Sequence, residues 1–253
     1  MKTPFLLALL AMSSNAAIKT ETASFKHGGK TFEGYFAWDD SLSGKRPGIL
    51  VVHEWFGHGP YVRRRAEELA KLGYVAFAGD MYGKGVYAKT HEEAAKLAGA
   101  VRGDRKLMRA RGQANLDALK KHPAVDGSKL AALGYCFGGT TVLELARAGA
   151  AVLGVVSFHG SLGTPMPAEK IAAKVLALHG AEDKHVNPEV PAFEDEMRKA
   201  GADWQLVKYG GAAHSFTVPE AGDDPSKGMA YDEKADKRSW EAMRAFLSEV
   251  FRR

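Results

Sequence analysis

The hydrophobic positions of this chain fall into two regimes. Thr20 to Lys26 and Thr31 to Trp38 are rich in Thr, Phe and Tyr and flank His27-Gly28-Gly29-Lys30, the composition of an antiparallel hairpin closed by a tight turn. After Pro47 the pattern changes to short continuous apolar runs: Ile49 to Val52, Val75 to Ala78, Leu130 to Leu133, Val152 to Phe158 and Val175 to Leu178. Strands apolar on both faces belong inside a parallel sheet covered on both sides. Stretches of helical period separate them, at Tyr61 to Leu72, Glu92 to Lys121, Thr140 to Ala148 and Glu189 to Ala200. A strand at Gln205 to Tyr209 and a helix at Ser239 to Phe251 complete the series. Such alternation predicts right-handed crossovers and a three-layer α/β domain, its central sheet mostly parallel and flanked by helices on both faces. Gly99, Gly103 and Gly112 interrupt Glu92 to Lys121, each costing a helix about 1 kcal/mol relative to Ala, so that stretch is expected to divide. No internal repeat or low-complexity linker splits the domain.

The N-terminus has a different character. Lys2 gives a positive start, Phe5 to Met12 is a nearly unbroken apolar run, and Ser14-Asn15-Ala16 supplies small residues where a signal peptidase cleaves. Residues 1–16 are therefore expected to be a signal peptide, and 17–253 a single exported domain, periplasmic or secreted. The apolar run is far below the roughly twenty residues that span a bilayer, so no stable membrane anchor is expected.

Composition narrows the classes further. A chain that is 45% hydrophobic and 26% charged is ordinary for a globular protein, which argues against wholesale disorder. The net charge is +5, but acidic residues are interspersed with basic ones, and no nucleic-acid partner is expected. Arg63-Arg64-Arg65, followed by Glu67-Glu68, has the character of the wet face of an amphipathic helix. A single cysteine excludes an internal disulfide.

That cysteine lies in Leu130-Ala131-Ala132-Leu133-Gly134-Tyr135-Cys136-Phe137-Gly138-Gly139, after a buried strand and before a helical segment. The arrangement is a G-x-nucleophile-x-G elbow with Cys in place of Ser. Its glycines admit a turn so sharp that side chains there would strike neighbouring backbone. At the start of the helix, free N–H groups and the positive dipole end favour a thiolate and a developing oxyanion. The partners follow in the order acid, then histidine. Asp183, in the loop after the strand Val175 to Leu178, is the expected acid, with Glu182 as competitor. His214, in the glycine-rich Tyr209-Gly210-Gly211-Ala212-Ala213-His214, is the expected base, held by Asp183 in the tautomer that accepts the thiol proton. His159 and His179 are expected to satisfy hydrogen bonds near strand ends. His53-Glu54-Trp55-Phe56-Gly57-His58 evokes a zinc-binding H-E-x-x-H, but the second histidine comes five residues after the first, and no metal site is expected.

Together, Gly134-Tyr135-Cys136-Phe137-Gly138-Gly139, Asp183-Lys184-His185-Val186, Gly211-Ala212-Ala213-His214-Ser215-Phe216 and His53-Glu54-Trp55-Phe56-Gly57 resemble the dienelactone hydrolase family of α/β-hydrolases. The resemblance implies the α/β-hydrolase fold with an N-terminal antiparallel hairpin. It also implies a Cys136, Asp183 and His214 triad, and a Glu54 that contacts the resting thiol and keeps it protonated. Backbone N–H groups of Phe137 and Trp55 would form the oxyanion hole. The chain departs from the family's best-known member at the substrate, because Val218 stands where that enzyme has a carboxylate-binding arginine. Arg102, Arg105 and Arg109 are open alternatives, either substrate partners or a solvated helix face. Trp55 and Tyr82 are candidate pocket residues or packing residues, and Thr217 to Asp236 is a plausible flap. The expected function is a hydrolase of a small ester or lactone, acting through a thioester, without cofactor and as a monomer. The alternative is a periplasmic binding or scaffold protein that keeps the fold without efficient turnover.

Overall fold

The computed structural model describes residues 17–252. The expected signal segment lies outside the described residues. β1 (Ile18–His27) and β2 (Lys30–Asp39) form the antiparallel hairpin. Gly28 at φ 55° and Gly29 at φ 76° put both central residues of its turn in the left-handed region, the type I′ geometry whose twist matches the strands it joins.

β2 pairs antiparallel with β4 (Val75–Gly79), and every later pairing is parallel. With β3 (Arg46–Val52), β5 (Val125–Tyr135), β6 (Gly154–Phe158), β7 (Lys174–Gly180) and β8 (Trp204–Tyr209), the eight-stranded sheet runs β1-β2-β4-β3-β5-β6-β7-β8. Two helices, α1 (Pro60–Ala70) and α6 (Glu233–Phe251), cover one face. The other face carries α2 (His91–Arg102), α3 (Arg105–Lys120), α4 (Phe137–Arg147) and α5 (Val190–Lys199). The period of two divides each strand between these layers: Ile49 and Val51 pack under α1 and α6, Leu50 and Val52 under the opposite helices. From β3 the chain passes through α1 to β4 on one side, then through α2 and α3 on the other face to β5. The strand order therefore reverses between β3 and β5, leaving a crevice at their carboxyl ends.

The long stretch after Glu92 divides once, not at each glycine. Gly103 ends α2, and the Asp104 carboxylate caps α3 by accepting from the Leu107 N–H. Gly112 stays within α3, and the absence of a Cβ there, which would press to 3.0 Å from Leu145, lets α3 approach α4. The last helix begins at Glu233 rather than Ser239, capped by the Asp232 carboxylate.

The expectation of a wholly wet basic face on α1 is corrected at Arg65, which is buried. Its guanidinium pairs with Asp236 at 2.5 Å and Glu68 at 3.0 Å, donates to the Thr217 carbonyl at 3.1 Å, and lies over the rings of Tyr61, Tyr135 and Trp240. Arginine suits this place because its planar fork serves several acceptors while its face stacks on aromatic rings. Arg65→Met leaves Asp236 and the Thr217 carbonyl without their donor, so urea unfolding is expected to show a loss of about 3 kcal/mol. The same change at exposed Arg64 should cost less than about 0.5 kcal/mol.

Candidate active site

The crevice is built first by a turn. Cys136 joins β5 to α4 with φ 53° and ψ −112°, a conformation that side chains rarely adopt. Its N–H donates to the Phe158 carbonyl at 2.9 Å and to His159 Nδ1 at 3.1 Å. A Cβ on Gly134 would lie 2.2 Å from the Gly138 carbonyl carbon, and one on Gly138 would lie 2.2 Å from the Val52 carbonyl oxygen. The turn closes because both side chains are absent, the mechanical role expected of these glycines.

Two further loops, after β7 and β8, bring a carboxylate and an imidazole to the same place. Asp183 is fully buried; its Oδ1 accepts from the N–H groups of His185 at 3.1 Å and Val186 at 3.2 Å. Its Oδ2 stands 2.7 Å from His214 Nδ1, and His214 Nε2 stands 3.1 Å from Cys136 Sγ. Glu182 is exposed and takes no part in this chain. Burial opposes charge on both partners, yet the interactions prevail. The hydrogen bond and charge of His214 hold Asp183 below the usual carboxylate range. At His214 the charge of Cys136, then the Asp183 hydrogen bond, overcome desolvation and push the imidazole up to about 10.

Behind the imidazole a second network fixes the backbone. His159 Nδ1 accepts from Cys136, so its Nε2–H donates to Thr217 Oγ1 at 2.7 Å, and Tyr61 Oη lies 2.7 Å from the same hydroxyl. His159 and Thr217 serve the site in a way local sequence did not reveal, because their partners are 23 and 58 residues from His159. His179, as expected, meets a neighbour, Asn187 Oδ1, at 2.8 Å.

A cavity of about 430 Å³ opens on Cys136 and His214, with Trp55, Ala98, Phe137 and Met229 among its walls. Phe137 is the first residue of α4, so its N–H is one of the helix's unpaired donors. Arg102 reaches this cavity from the end of α2. Arg105 and Arg109 do not: they serve the buried Glu144 and the carbonyls of Gly163 and Met166. A second recess of about 310 Å³ shares Trp55 and Met229 with the first and holds Glu54, Val218 and Glu220. Tyr82 belongs behind the wall instead of in it, because its buried hydroxyl donates to the Trp55 carbonyl at 2.9 Å. The segment from Thr217 spans two short 3-10 turns, Pro219–Ala221 and Pro225–Lys227, and its last residues, from Glu233, already belong to α6. Among the described residues, no cluster of three or more His, Cys, Asp or Glu side chains could hold a metal ion.

A profile of the dienelactone hydrolase family matches residues 32–251. The chain belongs to the dienelactone hydrolase family. Among solved structures, m3DLH superposes with a TM-score of 0.89 at 42% identity, covering 93% of this chain and 99% of that one. The dienelactone hydrolase-like promiscuous phosphotriesterase P91, from metagenomic libraries, superposes with a TM-score of 0.88 at 41% identity and the same coverage. An uncharacterised protein of Caenorhabditis elegans is 42% identical over 150 residues, 57% of this chain and 94% of its own length. The fold is thus that of the α/β-hydrolases, and the chain is a dienelactone hydrolase-like hydrolase.

One expectation drawn from the dienelactone hydrolase resemblance does not match the geometry. The thiol of Cys136 is hydrogen-bonded to His214, and Glu54 makes no side-chain hydrogen bond with any described residue. Glu54 occupies the smaller recess, where desolvation, then the charge of Glu220, raises its carboxyl from 4.5 to about 7. An acid whose folded pKa is raised destabilises the fold as it ionises, so stability is lost as pH rises from 4.5 towards 7. Glu54→Gln removes that titration. Urea unfolding is expected to show the variant gaining on the wild type across this window by about 3 kcal/mol, with a constant difference above it.

Proposed function

We propose that this chain hydrolyses a small carboxylic ester or lactone, with Cys136 as nucleophile, His214 as acid and base, and Asp183 as its orienting partner. The unbroken chain of contacts Asp183 to His214 to Cys136, at 2.7 and 3.1 Å beside a cavity of about 430 Å³, carries this reading.

The proton of the pair resides on His214 Nε2, whose pKa the charge of Cys136 raises, and the sulfur attacks the carbonyl carbon. The tetrahedral oxyanion is met by the N–H groups of Phe137 and Trp55. On collapse the C–O bond breaks, and the leaving alkoxide receives the proton held on Nε2, which gives a thioester on Cys136. Water then gives a proton to Nε2 and attacks the thioester, and the sulfur departs with that proton still on Nε2, restoring the resting pair as the carboxylic acid leaves. For a lactone the leaving hydroxyl stays attached to the acyl chain. The apolar Ala98, Phe137 and Met229 favour a compact substrate.

The likeness to a promiscuous phosphotriesterase supports phosphotriester cleavage as a side activity, since a neutral phosphotriester offers the same sulfur a tetrahedral electrophile. Cys136→Ala is expected to abolish turnover of an aryl acetate and of an aryl phosphotriester, together with labelling by iodoacetamide. Retained turnover would sink the mechanism, and a wild-type protein that binds these esters without cleaving them would make it a binding protein. The pH profile offers a second check. With His214 at about 10, kcat/KM is expected to fall as pH rises through that value, where the proton needed by the leaving group is lost. Asp183 pushes His214 upwards, so Asp183→Asn should move this limb to lower pH and reduce kcat by at least about 100-fold.

A further inference from the structure

His53 touches Phe137 and the carbonyl of the Glu54–Trp55 amide, the two parts assigned to the oxyanion hole. Its ring is fully buried at the end of β3 and stacks on Phe137, with centroids 5.7 Å apart and planes 15° from parallel. Its Nε2 lies 3.2 Å from the backbone nitrogen of Met81. A backbone N–H can only donate, so Nε2 carries no proton, and the single proton of the neutral ring resides on Nδ1. That Nδ1–H donates to the Glu54 carbonyl, 2.5 Å away. Burial favours the neutral ring by holding its pKa below the ordinary value.

The Glu54 carbonyl and the Trp55 N–H are two ends of one amide. The peptide unit is planar, and none of the described ones is cis, so anchoring the oxygen sets the N–H direction on the opposite side. The same oxygen also accepts from the Gly57 N–H at 3.3 Å, where φ 113° closes the turn, and the Tyr82 hydroxyl pins the following carbonyl, that of Trp55. A donor on the carbonyl also polarises the amide, making its N–H a stronger donor.

We propose that His53 is a positioning residue for the oxyanion hole, fixing and polarising the Glu54–Trp55 amide through its Nδ1–H while its ring supports Phe137. This rests on the cysteine-hydrolase reading and deepens it. Nothing in the reaction passes through the imidazole of His53 itself.

The test compares His53→Leu with His53→Gln, whose amide can donate to the Glu54 carbonyl and accept from the Met81 N–H. The Leu variant is expected to lose about 10- to 100-fold in kcat on an aryl acetate, less than the 10²–10³ that follows outright removal of a donor. Its KM should stay within about twofold and its Cys136 alkylation rate by iodoacetamide should be unchanged, because alkylation generates no oxyanion. The Gln variant should recover most of the lost kcat. Unchanged kcat in the Leu variant overturns the proposal, as does equal loss of kcat and of alkylation. If the Leu variant fails to fold, the Gln variant decides alone: kcat within about threefold of wild type sustains the proposal, and a larger fall at unchanged alkylation overturns it. Failure of the underlying mechanism would show separately, as turnover surviving Cys136→Ala.

Discussion

Gly138 sits against the carbonyl oxygens of Val52 and His53, where a Cβ would come within 2.2 and 2.7 Å. This close approach of the elbow to the end of β3 governs the geometry of the whole crevice. The parallel register of the two strands, with Val52 opposite Gly134, delivers the contact, and the reversal of strand order leaves open space above it. Cys136 and Phe137 then come from one side, Glu54 and Trp55 from the other, without any long loop to hold them in relation. Rigid strands determine the spacing between the Cys136 sulfur and the amides of Phe137 and Trp55, the kind of support on which a preorganised site depends.

Buried charge serves the same end on the outer wall. Glu144, on α4, receives Arg109 at 2.8 Å and Arg147 at 3.1 Å, while Arg147 also holds Glu196 at 2.7 Å and the Leu162 carbonyl at 2.6 Å. Arg109 reaches the Met166 carbonyl at 2.9 Å. These contacts tie helices α3, α4 and α5 to the loop after β6. Ion networks of this kind add little net stability over apolar packing, but removing one member is severe, so they specify where the loop lies. The loop that gives Ser161 to the wall of the larger cavity is thereby held in place.

Much of this was legible along the chain because it depends on local pattern. The strand runs are apolar on both faces, and the elbow glycines, the acid loop and the histidine loop each follow such a run directly. Other features depend on partners distant in sequence. Arg65 lies in a run of charges that looks uniform, and only the arrival of Thr217 and Asp236 from the far end of the chain separates it from Arg64. The start of α6 was hidden because its cap, Asp232, ends a segment rich in Gly, Pro and Asp that resembles loop throughout. The setting of Glu54 was not legible because motif spacing places a backbone, not a side chain: here the carboxyl occupies the recess beside Glu220 while His214 is bonded to the sulfur.

The segment after His214 is fastened at both ends. Thr217 is locked by His159 and Tyr61, and on the return the N–H groups of Ala230 and Asp232 donate to the carbonyls of His214 and Phe216, each at 3.0 Å. What lies between these fixed points contributes Val218, Glu220 and Met229 to the cavities and leaves the imidazole's support alone. Since doubling a flexible loop costs only about 0.6 kcal/mol, insertions and deletions here are inexpensive. The length of this stretch can therefore change, reshaping the cavity walls, while the backbone around His214 stays where it is.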